Sequence, residues 1–541
     1  GYAASLDVRD GIPEFGFTTS LQGLGLDLPA PLGKAAAEAL PVRFDRRIVA
    51  RETRTGTSPP PLHDRVELEL GGVAAARYLR DVSGPEPRVL SGGIGVGLEA
   101  GESLPDPERG VLANLRLGRF DVDAWQGLFD EATRAASPAP AAGGGSASVA
   151  APPAGGADLQ GYLPTTVALR AQSLSVAGRQ LHDLVLGGSR EGAVWRANVD
   201  ANELNGYVEY RAASGSGDGR VYARLARLRI EGSGASQVES LLDEQPETLP
   251  ALDVVIDDFE LLGKRLGRAE ILAVNRGGAS REWRLDKLAF TNRDATFQAR
   301  GSWTAVPGTR APGGTRAGRR MAMDFGLDIG DAGALLGRFG MDDVLRRGTG
   351  RMEGRIAWQG SPLSLDYPSL DGQLNIDLER GQFLKADPGL AKLLSVLSLQ
   401  SLPRRLTLDF RDVFSQGFAF DFIRGDAAID AGIARSNNLQ MKGVNAAVLM
   451  DGSADIAQET QALRVVIVPE IDAGTAALVA TAINPAVGIA TFLAQMVLRR
   501  PLIAAATQEF QVDGAWDEPR ITKVPRRLLA PAAESSRETP P

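Results

Sequence analysis

Short runs in which apolar and polar residues alternate fill most of this chain. Two of the clearest runs have an apolar side chain at every second position: Leu406, Leu408 and Phe410, then Phe418, Phe420 and Phe422. A period of two is typical of a β-strand with one apolar face. The long helical periods that a compact α/β enzyme shows between its strands are missing. The pattern therefore predicts a mostly β fold with one apolar face.

A few short segments with helical spacing interrupt the strands. We predict such helices at residues 31–40, 121–135, 331–345 and 388–402. The segment at 388–402 has the clearest ends, because Asp387 suits an N-cap, Pro388 suits the first turn and Pro403 ends the helix. A helix of about 15 residues spans roughly 22 Å and is too short to cross a bilayer.

The apolar face of the 388–402 helix has two interpretations, and the sequence leaves both open. The helix packs over the apolar face of the sheet, or it contacts a membrane or gates a groove, since so broad an apolar surface needs a partner. The candidate contact residues are Leu390, Leu393, Leu394 and Leu397, with Arg404 and Arg405 just beyond the helix.

Residues 473–498 carry no charge and are long enough for a transmembrane helix. However, Asn484 and Pro485 provide a cap and a first-turn residue in the middle, which predicts two short helices. We expect a hairpin that packs on the end of the sheet or lies on a membrane surface. Its candidate contact residues are Phe492, Met496, Arg499 and Arg500. The two arginines suit lipid phosphates, or they complement the helix dipole.

An internal repeat occupies residues 163–303. Gly178 and Gly263 correspond at an offset of 85 residues, and Trp195 corresponds to Trp283. Each copy has the pattern of several strands joined by glycine turns. Repetition of such a unit favours a sheet that grows by stacking modules, each of which buries its apolar face with help from its neighbours.

The composition argues against several classes of function. The 541 residues include no cysteine, which excludes disulfides, thiolate zinc sites and cysteine nucleophiles. His63 and His182 are the only histidines, so neither a histidine-rich metal site nor a Ser-His-Asp triad is indicated. The glycines at 92–97 lack the lysine and the helix of a phosphate loop. We therefore expect no cofactor, no metal and no enzymatic activity.

The net charge of −8, without a basic block, argues against a nucleic-acid partner. What remains is a sheet with one apolar face and no catalytic group. Such a face offers a trough that shields acyl chains from water, at about 0.8 kcal/mol for each buried methylene. Lipid binding is the hypothesis that the residues alone support.

Three stretches resemble a known family. Residues 381–426 resemble the C-terminal region of the YhdP family, and the sequences of residues 19–46 and 510–524 are also similar to this family. These are AsmA-like envelope proteins of Gram-negative bacteria, related to TamB and YdbH. The resemblance implies an elongated, curved, repeating β-groove of the bridge-like lipid-transfer type. It also implies that this chain is a C-terminal portion whose inner-membrane anchor lies N-terminal to it.

The resemblance implies intermembrane phospholipid transport across the periplasm and support of the outer-membrane permeability barrier. The partners would be phospholipids, the inner and outer membranes and other envelope proteins. Alternation alone assigns the candidate groove residues, which are Leu406, Leu408, Phe410, Phe418, Phe420, Phe422, Val465 and Ile467. The alternative is a scaffold or assembly factor for envelope proteins that carries no lipid.

We predict six regions along the chain. They are β-groove modules at 1–136, a flexible Pro/Gly/Ala insert at 137–158, repeated modules at 159–330, a C-terminal groove with amphipathic helices at 331–470, a helical pair with the last strands at 471–524, and a disordered tail at 525–541.

Overall fold

The structure is a computed structural model, and it describes most of the chain. The described residues are 1–9, 12–49, 61–99, 101–128, 159–176, 179–212, 219–230, 249–276, 282–310, 317–360, 362, 365–384, 418–443, 446–469, 483, 485–499, 507–516 and 518–524. The chain forms two compact units, Gly1–Gly277 and Gly278–Pro541. The finer division into six regions stays a prediction.

Twenty-five strands make up most of the described residues. The first unit contains β1 (Tyr2–Arg9), β2 (Ile12–Thr19), β3 (Val42–Val49), β4 (His63–Leu70), β5 (Ala74–Asp81), β6 (Arg88–Val96), β7 (Gly110–Asp121), β8 (Thr166–Val176), β9 (Arg179–Glu191), β10 (Val194–Asp200), β11 (Leu204–Arg211), β12 (Arg220–Ile230), β13 (Ala251–Leu261) and β14 (Lys264–Arg276).

The second unit contains β15 (Glu282–Thr291), β16 (Ala295–Arg310), β17 (Ala317–Ile329), β18 (Leu345–Gln359), β19 (Asp371–Phe383), β20 (Phe418–Asp430), β21 (Ile433–Gly443), β22 (Ala446–Asp455), β23 (Thr460–Pro469), β24 (Gln508–Ala515) and β25 (Arg520–Lys523). The helices among the described residues are α1 (122–128), α2 (Ala332–Arg338) and α3 (Gly488–Arg499), with short 3₁₀ turns at Leu159–Tyr162 and Tyr367–Ser369. The predicted mostly β fold with a few short helices is confirmed.

Within each unit, strands pair with their neighbours in the chain. Most of these pairs are antiparallel, whereas β6–β7, β7–β8 and β12–β13 are parallel. The repeat found in the sequence follows this arrangement. Each copy opens with a hairpin, β8–β9 or β13–β14, and each hairpin joins the preceding strand in parallel.

The alternation in the sequence produces a sheet with one polar face and one apolar face. In β19 the exposed residues Gln373, Asn375 and Asp377 alternate with the half-buried Leu374 and Ile376. Directly opposed residues of paired strands share a face, so the apolar positions continue from strand to strand. Ion pairs join neighbouring strands on the polar side, as between Arg355 and Asp324 at 2.7 Å.

The last part of the second unit is buried on both faces. Val448, Val465 and Ile467 belong to a cluster on one side of β22 and β23, whereas Leu449, Val466 and Val468 belong to a second cluster. A strand that is covered on both faces has a continuous apolar run rather than an alternating one. Ile489 of α3 is buried in the second cluster, and Phe492 and Leu493 pack against it.

Helix α2 is shorter than the predicted 331–345 segment. Asp331 caps it, because its carboxylate accepts a hydrogen bond from the Ala334 N–H at 2.9 Å. Arg338 in its last turn pairs with the buried Asp294. Of the predicted 121–135 helix, residues 122–128 are described and helical.

The helix predicted at residues 31–40 is wrong. This segment forms turns, with an isolated bridge between Leu26 and Lys34. The Lys34 ammonium donates hydrogen bonds to the carbonyl oxygens of Leu21 at 3.0 Å and of Leu24 at 2.5 Å. These tertiary contacts use the backbone oxygens of a looped chain, and they outweigh the helix propensity of the alanines.

Helix α3 is tied to the sheet through two asparagines. Asn438 is buried, and its amide donates to Asp426 at 2.7 Å and to the Ile483 carbonyl at 3.2 Å. The Asn437 amide donates to the Pro485 carbonyl at 2.8 Å. None of the helices in the described residues has the length and apolarity needed to span a membrane. Only the second helix predicted within 473–498 falls in described residues.

We expect Asn438→Ala to weaken this attachment. The substitution leaves the Asp426 carboxylate and the Ile483 carbonyl without their buried donor, which costs about 1–3 kcal/mol. Urea unfolding would measure this loss, and amide hydrogen exchange over residues 485–499 should become faster. Exchange at the wild-type rate would show that the asparagine does not hold the helix.

Candidate functional site: an apolar furrow in the first unit

An open apolar furrow lies on one face of strands β8 to β11. Its volume is about 460 Å³. The lining is almost entirely hydrocarbon and consists of Val167, Leu169, Leu174, Val176, Leu181, Leu184, Leu186, Gly188, Trp195, Arg196, Ala197, Val199, Leu204, Val208 and Tyr210. This volume lies within the range of about 300–1,000 Å³ that is usual for small-molecule sites.

The strand registers explain why the lining is apolar. One row of directly opposed residues crosses the strands as Val167, Gly188, Ala197 and Val208. The next row crosses as Leu169, Leu186, Val199 and Gly206. Because opposed residues share a face, the rows form a continuous apolar surface across four strands.

Small residues in these rows create the open space. Gly188 and Ala197 stand where larger side chains would fill the face, whereas a Cβ at Gly206 would meet the backbone of Arg224 and Leu225 in β12. Gly206 has a φ of 142°, a conformation that L side chains rarely adopt. The furrow therefore results from particular small residues placed among leucines and valines.

The floor of the furrow is a packed cluster. Leu174, Leu184, Ala171 and Ala201 are buried, and Phe120 packs against them. Leu174 and Leu184 belong both to this cluster and to the lining, so packing holds part of the furrow in place.

Two aromatic residues stand at one end of the furrow. Trp195 and Tyr210 are directly opposed across β10 and β11, and they are 38% and 45% exposed. The Arg190 guanidinium lies 5.7 Å from the centre of the Trp195 ring. Large rings that remain this exposed beside an open apolar surface are typical of a binding site.

The opposite face of the same strands is polar. The Arg196 side chain of β10 pairs with Glu209 of β11 at 3.2 Å, and on the next two strands Arg224 of β12 pairs with Asp253 of β13 at 2.8 Å. Hydrogen bonds to two carboxylates, that of Glu191 first and that of Glu209 second in size of effect, raise the pKa of Arg196. The sheet therefore presents charge on one side and hydrocarbon on the other.

Within the described ranges, no group of three or more His, Cys, Asp or Glu side chains is placed to hold a metal ion. His182 is exposed and contacts Glu203 at 2.6 Å. What this arrangement can do is hold hydrocarbon on one face of the sheet while the other face stays in water.

Comparison with known proteins assigns the family. The family model described as "YhdP protein" matches residues 3–521. The chain belongs to the YhdP family. This membership confirms the resemblance carried by residues 19–46, 381–426 and 510–524.

One relative in this family has a described function. Over 248 residues the chain is 30% identical to the intermembrane phospholipid transporter YhdP of Escherichia coli (strain K12). The match covers 45% of this chain and 19% of that protein, so the chain spans about a fifth of its YhdP relative. No solved structure matches the chain.

Three of the groove residues predicted from alternation lie in a closed cluster. Phe420, Val465 and Ile467 are only 3%, 1% and 5% exposed, and all three belong to one buried hydrophobic cluster of the second unit. The Phe420 ring lies 5.4 Å from the ring of Phe383. In this structure these side chains touch protein, and their role toward lipid stays a prediction.

Phe422 is separated from Phe420 by an irregularity in the ladder. The register between β20 and β21 shifts between these two residues, and such a shift changes which face a side chain occupies. Phe422 is buried but lies outside the cluster that holds Phe420. The Arg424 guanidinium covers its ring at 3.7 Å.

The remaining groove candidates are not described. Leu406, Leu408 and Phe410 lie outside the described residues, and Phe418 is described only as part of β20. The sequence did carry a signal for the furrow that is observed. Val167, Leu169 and Ala171 alternate in β8, and Ala197 and Val199 alternate in β10.

The candidate membrane-contacting residues are mostly outside the described residues as well. These are Leu390, Leu393, Leu394, Leu397, Arg404, Arg405 and Arg500. Phe492 is partly buried against the sheet, whereas Met496 and Arg499 are described only as part of α3. Membrane contact by either segment stays a prediction.

Proposed function

We propose that this chain carries phospholipids between the inner and outer membranes without an enzymatic step. The observation that supports this is the open apolar furrow, whose rows of opposed residues form a hydrocarbon surface across β8 to β11. Membership of the YhdP family and the described function of the E. coli relative agree with it.

The energetics suit a carrier. Relative to water, burying about ten methylenes contributes roughly 8 kcal/mol, so an acyl chain in the furrow is held against release into water. The rows are similar from one strand to the next, so neighbouring positions offer similar contacts. A lipid can therefore be held securely away from water and still shift between adjacent strands.

The cellular setting of this proposal follows from the family. The chain would work in the periplasm as part of a longer protein anchored to the inner membrane. Its partners would be phospholipids and the two membranes, and its activity would support the outer-membrane permeability barrier. Within the second unit, Phe420, Val465 and Ile467 would contact lipid only if the cluster that holds them opened.

Lipid extraction from the purified chain tests this function. We expect phospholipid to co-purify, and native mass spectrometry should show lipid adducts that disappear after delipidation and return on incubation with vesicles. A chain that purifies without lipid, takes none up from vesicles and binds an envelope protein instead would contradict transport and favour a scaffold.

A further inference from the structure

Arg179 lies at the hairpin end of the furrow. It begins β9, directly opposite Val176 and two positions before Leu181. Val176 and Leu181 both line the furrow. Opposed residues, and residues two apart on one strand, share a face of the sheet. The Arg179 side chain therefore belongs to the apolar face.

The charge of Arg179 is not neutralised within the described parts of the chain. Its Nε is buried and has no hydrogen-bond partner. Burial lowers the pKa of this guanidinium, and no carboxylate opposes the shift. A cation partly removed from water normally has a paired anion, because the desolvation is otherwise uncompensated.

Two other arginines in this unit do have a paired carboxylate. The registers of β3 to β8 place Arg46 and Arg80 on the same face as the furrow. They share the fully buried Asp64, at 2.7 Å and 2.6 Å. The contrast indicates that Arg179 is left available for a group that does not belong to the described chain.

We propose that Arg179 holds the phosphate group of the phospholipid whose acyl chain lies in the furrow, an inference that rests on the proposed function. A guanidinium donates parallel hydrogen bonds to phosphate oxygens, and these charge-assisted bonds are strong. The phosphate would lie beside Arg179, at the end of the furrow that Val176 and Leu181 line. From there the acyl chain would pass Leu174 and Leu181 toward Leu186 and Val199.

This arrangement meets two needs at once. The lipid gives the half-buried guanidinium an anion, and the guanidinium fixes the end of the furrow from which the acyl chain enters. A lipid without phosphate would keep its hydrocarbon contacts and lose this anchor. Arg179 would therefore distinguish phospholipids from neutral diacylglycerols with the same chains.

The test compares two lipids and two variants of the full chain. The lipids are phosphatidylglycerol and a diacylglycerol with identical acyl chains, and binding to delipidated protein is measured by native mass spectrometry. Arg179→Gln should weaken phosphatidylglycerol binding roughly tenfold, as expected for a charged hydrogen bond, and leave diacylglycerol binding unchanged. The matched control is Arg170→Gln, which removes the same charge from an exposed position of β8.

Several outcomes would overturn the inference. One is equal weakening of both lipids by Arg179→Gln, and another is phosphatidylglycerol binding that does not change. Binding of inorganic phosphate alone as tightly as the lipid would assign the site to free phosphate. A large fall in the melting temperature of delipidated Arg179→Gln would show a structural role. Failure of the wild-type chain to bind either lipid would instead contradict the proposed function itself.

Discussion

Val199→Asp should remove phospholipid from the chain. Val199 lines the furrow between Leu186 and Gly206, so the new carboxylate would face the acyl chain. A carboxylate loses several kcal/mol when it leaves water without a partner, which corresponds to a fall in lipid affinity of about a hundredfold or more. Co-purified lipid and uptake from vesicles both measure the loss.

The matched control for this substitution is Asn198→Asp. Asn198 is the preceding residue of β10, it is exposed, and it points to the polar face. It should bind lipid as the wild type does. Equal loss in both variants would show a general effect of charge, and normal binding by folded Val199→Asp would mean that lipid does not occupy the furrow.

Phe420→Glu should unfold part of the second unit. Phe420 is buried in the cluster with Val465 and Ile467, and its ring packs against Phe383. Loss of such a phenylalanine costs about 3–5 kcal/mol, and the glutamate adds an unpaired buried charge. Urea unfolding followed by tryptophan fluorescence reports this, because Trp303 and Trp358 are buried in the same unit.

Ala419→Glu is the control for this second substitution. Ala419 precedes Phe420 in β20 and is exposed, so a charge there should change stability little. If Phe420→Glu were as stable as Ala419→Glu and only lipid binding were lost, Phe420 would line a lipid path. The closed cluster would then have to open to admit lipid.

The strands could be predicted from the sequence, whereas the location of the open furrow could not. Alternation identifies a residue such as Leu374 or Val199 as belonging to an apolar face. It does not show whether that face is covered, because coverage depends on distant segments. The cluster around Phe420 and the furrow around Val199 therefore have the same sequence pattern and different structures.

Registers and local irregularities account for the other differences. The shift between Phe420 and Phe422 breaks an alternation that is regular in the sequence. The loop held by Lys34 replaces a helix that the local composition favours. Both depend on contacts with other segments, which one-dimensional patterns do not contain.

The most direct test of the central claim is photocrosslinking from the apolar face. Because the chain has no cysteine, Val208→Cys and Asn198→Cys each provide one site for a photoreactive label. Val208 lines the furrow and Asn198 lies on the opposite face. Illumination in the presence of phospholipid vesicles should yield a phospholipid adduct at position 208 and none at position 198. Equal labelling at both positions, or an adduct at position 198 alone, would contradict a furrow that carries lipid.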